Sequence, residues 1–175
     1  MKAYAVTIGF DKSTTDIIQE HIDKIAKATK NDYMVSNNIE PHITIGAFCA
    51  ENGQAIIDIL DIETLRLKPD MVFLKSIESF YPNVVYISPE KNSYLSILNQ
   101  TIHNKMSDLF VAADHEYYTP KNWVPHCALA VQLNMYQHKI AISEATKIEL
   151  PFWATVEQIS LAECLPYRQI KTWTL

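Results

Sequence analysis

Residues 41–45 read Pro-His-Ile-Thr-Ile, and residues 125–129 read Pro-His-Cys-Ala-Leu. Each stretch is a proline, a histidine, an apolar residue, a small residue and an aliphatic residue. Each opens a run with the alternation of a β-strand, where a proline at the first position costs no ladder hydrogen bond. Successive strand residues point to opposite faces. Alternation therefore places His42, Thr44 and Gly46 on one face and Ile43 and Ile45 on the other. In the second stretch His126, Ala128 and Ala130 share a face, and Cys127, Leu129 and Val131 oppose them. A pattern repeated in two halves implies an internal duplication in which each half gives one strand, and one imidazole, to a shared cleft.

Working outward from the motifs, strands are predicted over residues 3–10 and 41–48, with a helix between them. That helix is capped by Ser13 or Thr14, runs to about Lys30 and buries Ile17, Ile18, Ile22, Ile25 and Ala28. A loop over 31–40 and a short helix over 52–60 are expected next. Strand-like runs follow at 64–67, 71–79 and 84–88, the last two forming a hairpin about Pro82 and Asn83. Asn92 or Ser93 starts a helix to about Phe110, with Leu95, Leu98, Ile102, Met106 and Leu109 at helical spacing. A loop over 113–122 leads into a strand over 123–133. Asn134 caps a helix to about Ala145, and two strands over 154–163 and 167–175 close the chain. Strands joined mostly by hairpins indicate an α+β fold with antiparallel sheets. No Gly-, Pro- or Ser-rich linker divides the chain, so residues 1–175 read as a single domain of two lobes.

A phosphodiester is broken by taking a proton from the attacking oxygen and giving one to the leaving oxygen. Two imidazoles titrating near neutrality suit those roles. The Thr44 hydroxyl is placed to donate to a nonbridging phosphate oxygen. Cys127 points away from His126, which argues against a Cys–His nucleophilic pair, since nucleophile and base must lie within hydrogen-bond reach. A buried core thiol is the reading for Cys127. Any single histidine opening a strand is more often structural; the recurrence with matching neighbours makes the pair His42 and His126 the candidate catalytic residues. His21, His103, His115 and His138 read as solvated. Asp114, His115 and Glu116 form an acidic cluster without the spacing of a metal site. Tyr117, Tyr118 and Trp123 are candidates for stacking a base, with ordinary packing as the commoner role.

Of the 175 residues 48% are hydrophobic and 20% charged, a globular composition. The net charge is −5 and no basic stripe is visible. That argues against nonspecific grip on long nucleic acid, where phosphate neutralisation supplies most of the affinity. The expected partner is instead a small nucleotide or an RNA terminus. Three separated cysteines, never in a CxxC pair, suggest neither a disulfide framework nor a zinc knuckle. Neither a membrane-length apolar run nor a signal-peptide h-region is present, so a cytoplasmic protein is expected; a monomer is the separate expectation for its assembly. No metal and no cofactor is called for.

At His42-Ile43-Thr44-Ile45 and His126-Cys127-Ala128-Leu129 the chain resembles the 2H phosphoesterase superfamily, in particular its 2′-5′ RNA ligase-like and cyclic phosphodiesterase branch. That family carries two His–x–Thr/Ser–x motifs, one in each half. The resemblance implies two pseudo-symmetric α+β lobes whose antiparallel sheets line a central cleft, with helices outside. It implies hydrolysis of a 2′,3′-cyclic phosphate or a 2′-5′ linkage, or reversible joining of RNA ends. His42 would protonate the leaving oxygen and His126 would activate water, the two roles being interchangeable on the sequence alone. Thr44 and position 128 would bind the phosphate. The departure is Ala128, where the family has Thr or Ser. One phosphate-binding hydroxyl is missing, and the chain reads either as a weakened enzyme or as a binder of phosphorylated ends with little turnover.

Overall fold

The structure is a computed structural model and describes residues 1–175. Eight strands form one connected antiparallel sheet: β1 (Lys2–Phe10), β2 (His42–Ala50), β3 (Asp70–Phe80), β4 (Val84–Pro89), β5 (Val111–Ala112), β6 (Cys127–Ala130), β7 (Phe152–Cys164) and β8 (Tyr167–Thr174). Five helices accompany them: α1 (Lys12–Thr29), α2 (Tyr33–Ser36), α3 (Gln54–Glu63), α4 (Ser93–Met106) and α5 (Met135–Ala145). The strand order is β1-β2-β6-β4-β3-β7-β8, with β5 on β2 and a further pairing of β1 with β7. The path therefore closes on itself. β7 links the two halves at one place, pairing β3 through residues 152–156 and β1 through residues 156–163. The β2–β6 contact links them at the other, through Ile43 opposite Cys127.

The cover of the motif strands is exchanged between the halves. α1 packs against β6, and α4 packs against β2, while α5 lies on α1 and β4. Each motif strand is thus backed by a helix from the other half of the chain. The backing is apolar: Ile43, Ile45, Cys127 and Leu129 are fully buried, as are Ile18, Ile22, Ile25, Leu95 and Ile102. Each large aliphatic so buried contributes about 1.5–3 kcal/mol relative to exposure.

Both motif strands carry a β-bulge at the same place. Thr44 opposes Thr7 and Gly46 opposes Val6, so Ile45 is the extra residue in β2. Ala128 opposes Tyr86 and Ala130 opposes Val85, so Leu129 is the extra residue in β6. Each bulge lies three residues after its histidine and reverses the alternation beyond it. The faces predicted from strict alternation are therefore corrected. Gly46 and Ala130 do not line the cleft; Ala47 and Val131 do. Gly46 instead lies against Phe48 and Ile102, where an added Cβ would approach the Phe48 ring to 2.8 Å.

Other boundaries shift for local reasons. The cap of α1 is Asp11, whose carboxylate accepts from the Thr14 N–H at 2.9 Å, and not Ser13 or Thr14. The buried stripe of α1 is Thr14, Ile18, Ile22, Ile25 and Thr29, which leaves Ile17 and Ala28 exposed on its flank. The loop over 31–40 contains the short helix α2. Residues 64–66 continue α3 as a 3₁₀ turn in place of the predicted strand, with the Thr64 hydroxyl donating to the Leu60 carbonyl at 2.7 Å. α4 ends at Met106, and Leu109 is exposed. The strand over 123–133 shrinks to β6, because Trp123 and Pro125 belong to the incoming loop. The Asn134 cap of α5 is a full capping box with Gln137. No helix is long and apolar enough to cross a membrane.

Candidate active site

The antiparallel pair of Ile43 with Cys127 fixes what meets in the cleft. Extending the register by one residue sets Thr44 beside His126 and His42 beside Ala128, all on the face opposite the buried aliphatics. All four line one cleft of about 230 Å³, together with Thr7, Ala47, Tyr118 and Val131. The diagonal across such a pair spans about 7–8 Å between backbones, a span that one phosphate group can bridge.

The two histidines are held alike. His42 donates from Nδ1 to the Glu40 carbonyl at 2.7 Å, and His126 from Nδ1 to the Val124 carbonyl at 2.8 Å. In both, the partner is the residue two before the ring. The carbonyl can only accept, so the proton of each neutral ring is assigned to Nδ1 and Nε2 carries the free lone pair. Burial lowers both imidazoles from the ordinary 6.5, against a smaller opposing pull from those carbonyls. The charge of His42 lowers His126 further. The two rings therefore titrate as a coupled pair.

An aromatic wall surrounds His126. Phe80 meets it edge-on at 5.1 Å, Tyr86 lies at 5.2 Å, and Tyr118 stacks over it at 6.2 Å and 25°. A second cavity of about 650 Å³ adjoins the cleft and shares Val84, Asp114, Tyr118 and His126 with it. Phe80, Tyr81, Asn83, Tyr117, Asn122 and Val124 complete its lining. No lysine or arginine lines either cavity, and Asp114 is the one carboxylate in both. Asp114, His115 and Glu116 all have positive φ, of 57°, 53° and 63°, a left-handed turn of three non-glycine residues at the rim. Such backbone costs about 1–2 kcal/mol per residue.

The loop that carries Tyr118 is pinned to β2. Asn99 of α4 donates from Nδ2 to the Ile45 carbonyl and to the Tyr118 carbonyl, each at 2.8 Å. Trp123 donates from Nε1 to the Thr44 carbonyl at 2.9 Å. Trp123 is buried and committed to that bond, so it offers no stacking surface, whereas Tyr117 and Tyr118 face the adjoining cavity. Cys127 is fully buried, and burial pushes its thiol up to about 12. His115 is exposed, but His103 and His138 are buried against Phe48 and Tyr81 rather than solvated. His21 is half-buried. Asp114, His115 and Glu116 do not converge with one another as a ligand set.

Sequence reasoning missed Phe80, Tyr86 and Asn99, and read Asp114 only as part of an acidic cluster and not as a wall of the cleft. Tyr86 reaches His126 because the β4–β6 register sets it opposite Ala128, and no local sequence signal announces that register. Asn99 carried a readable signal, an amide on the apolar stripe of a helix.

Comparison with known proteins gives a consistent result. The chain matches the family model described as "2'-5' RNA ligase superfamily" over residues 14–164. A presumed phosphoesterase of Bacillus cytotoxicus is 25% identical over 164 residues, covering 91% of this chain and 87% of that one. Crystal structures with the same fold include LigT of Escherichia coli complexed with 3'-AMP, with a TM-score of 0.59 and 16% identity over 99% of this chain and 98% of LigT. Another is TT0787 of Thermus thermophilus, with a TM-score of 0.60 and 14% identity over 99% of this chain and 97% of that one.

Proposed function

This chain belongs to the 2'-5' RNA ligase superfamily, and from that premise we propose that it hydrolyses a 2′,3′-cyclic phosphate, or a 2′-5′ phosphodiester, of a nucleotide or RNA end without a metal. The observation that carries the reading is the matched pair of imidazoles, each fixed through Nδ1 to the carbonyl two residues before it, at 2.7 and 2.8 Å. Family and fold support a phosphoesterase or RNA-ligase-like activity; the substrate and the division of labour are our inference.

With a cyclic phosphate in the cleft, His126 Nε2 takes the proton of a water whose oxygen attacks phosphorus. The bond from phosphorus to the 2′ oxygen breaks, and His42 Nε2–H delivers the proton to that oxygen. This division, His42 as acid and His126 as base, is the one the family resemblance implies, and the two buried rings titrate as a coupled pair. Each proton transfer contributes roughly 10²–10⁴-fold. The Thr44 hydroxyl donates to a nonbridging oxygen. Ala128 marks the same phosphate position in the second motif and offers no donor. The nucleobase lies in the adjoining aromatic cavity, against Tyr117 and Tyr118.

The absence of lysine and arginine from both cavities, with Asp114 present, favours a substrate of low charge over a long polyanion. The protein works on small substrates as one bilobal unit, a cytoplasmic monomer in this reading. Ala128 favours one other reading, a module that binds phosphorylated ends and turns them over negligibly.

Turnover of 2′,3′-cyclic AMP in excess chelator by the wild type, His42→Ala and His126→Ala separates these. Hydrolysis to a monophosphate, lost in both variants, is the expected result. Hydrolysis that survives both substitutions overturns the two-histidine mechanism. Binding without turnover, with hydrolysis appearing in Ala128→Thr, selects the binding module.

A further inference from the structure

The two motifs match in backbone but not in donors. Position 44 carries a hydroxyl and the equivalent position 128 carries a methyl. With no lysine or arginine in the cleft, charge gathering on the nonbridging oxygens has one strand hydroxyl and one imidazolium to meet it. Among the tyrosines around this site, one is placed to make up the difference.

We propose that the Tyr118 hydroxyl is the second phosphate-oxygen donor of this site, reaching the phosphate from the opposing loop in place of the hydroxyl that position 128 lacks. The inference rests on the phosphoester reading above. Tyr118 lines the cleft with His42, Thr44, His126 and Ala128. Its ring lies over His126 at 6.2 Å and 25°, and its hydroxyl neighbours the Thr44 hydroxyl, so the side chain spans from one motif to the other at the cleft. Its backbone carbonyl is tied by Asn99 to the Ile45 carbonyl of β2, each bond 2.8 Å, and Asn99 is itself buried. The loop is therefore fastened to the strand that carries His42 and Thr44.

The phenol is also chemically suited. Burial first, and the charge of Asp114 next, push it up to about 12, with Thr44 opposing slightly. It remains a donor throughout the range in which imidazoles exchange protons. The other hydroxyls at the site are less well placed: Tyr167 lines the cleft from β8, beside Glu40 and away from the strand that carries position 128. Tyr86 opposes Ala128, but its hydroxyl turns to Glu78 at 3.4 Å. Thr7 stands on β1, two strands away from position 128 on β6.

Tyr118→Phe removes the hydroxyl while keeping the ring, its stack on His126 and the backbone bond to Asn99. The test measures kcat on 2′,3′-cyclic AMP, and the affinity for inorganic phosphate by titration, for the wild type, Tyr118→Phe, Ala128→Thr and the double variant. Losing one such donor costs about 10²–10³ in kcat, so Tyr118→Phe is expected to fall by about 10²-fold and to bind phosphate more weakly. Ala128→Thr is expected to raise kcat about tenfold or more further in the Tyr118→Phe background than in the wild type, the signature of two groups sharing one task. Tyr118→Phe within about twofold of wild type on both measurements overturns the proposal. So does Ala128→Thr raising both backgrounds by the same factor. A wild type that binds phosphate without hydrolysing the cyclic substrate counts against the catalytic reading alone, and the phosphate titrations then decide Tyr118.

Discussion

Ile43 and Cys127 lie directly opposite each other across the antiparallel β2–β6 pair. Each follows its motif histidine by one residue, so this contact marks the centre about which the halves correspond. On either side of it stand a histidine held by the carbonyl two residues earlier, a small residue facing the cleft, and a bulge at the third residue beyond the histidine. Closing the sheet through Ile43 and Cys127 is what brings His42 and His126 to one cleft although they stand 84 positions apart in the chain.

The pH dependence of activity follows from the lowered imidazoles. Burial holds both His42 and His126 below 6.5, so kcat/KM is expected to be bell-shaped with its optimum below pH 6.5. The acid limb reports protonation of the base and the alkaline limb deprotonation of the acid, as macroscopic values of the coupled pair. A profile of kcat/KM against pH with its optimum above 7.5 contradicts this.

Stability has a related sign. A histidine lowered in the folded state binds its proton less well than in the unfolded chain. The stability it permits is present above about pH 6.5 and is lost as pH falls through the lowered folded value. His42, His103 and His126 all act in this direction. Urea midpoints are expected to fall between pH 7 and pH 5; a midpoint that rises over that interval contradicts the assignment.

Cys127→Ala should leave catalysis intact. The thiol is fully buried on the face away from the cleft and pushed up to about 12. A kcat within about threefold of wild type is expected, and the native thiol should resist alkylation until the protein unfolds. A loss of more than about 10²-fold would restore the thiol as a candidate nucleophile.

The pins between the 113–126 loop and β2 contribute to stability as well as to position. Trp123→Phe leaves the Thr44 carbonyl without its donor, and Asn99→Leu strips the Ile45 and Tyr118 carbonyls. Each orphaned buried carbonyl costs about 1–3 kcal/mol, so Asn99→Leu is expected to be the more damaging in chemical denaturation. The reverse order would show that the loop is held by other contacts.

Asp11 caps α1 and ties it to β7, accepting from the Thr14 N–H, the Thr14 hydroxyl and the Thr155 N–H at 2.9, 2.7 and 3.1 Å. Burial pushes its carboxyl up, but these bonds together outweigh burial and hold it below 3.8. Asp11→Ala is expected to cost about 1–2 kcal/mol at pH 7. Because the stabilising form is the carboxylate, the difference from wild type should shrink as pH falls through the lowered value. A difference that grows on acidification contradicts the role.

The residues show why some of this was legible in the sequence and some was not. His42, Thr44, His126 and Ala128 share a face because strand alternation is a local property, and it held from each histidine up to the bulge. It failed at Gly46 and Ala130, where an extra residue in pairing with β1 and β4 reversed the face. That reversal depends on neighbours far along the chain. The Asn134 cap could be read from its own segment, and so could the α1 cap, since Asp11 accepts from Thr14 three residues on and its bond to Thr155, 144 positions away, only adds a tie to β7. The aromatic wall around His126 draws on β3, β4 and a loop, and only the closed sheet assembles it.

A crystal soaked in inorganic phosphate tests most directly whether both rings serve one phosphorus atom. The predicted result is a phosphate in the cleft with oxygens about 2.6–3.2 Å from Nε2 of both His42 and His126. A phosphate bound elsewhere, or bound to one ring while the other Nε2 points away, would contradict it.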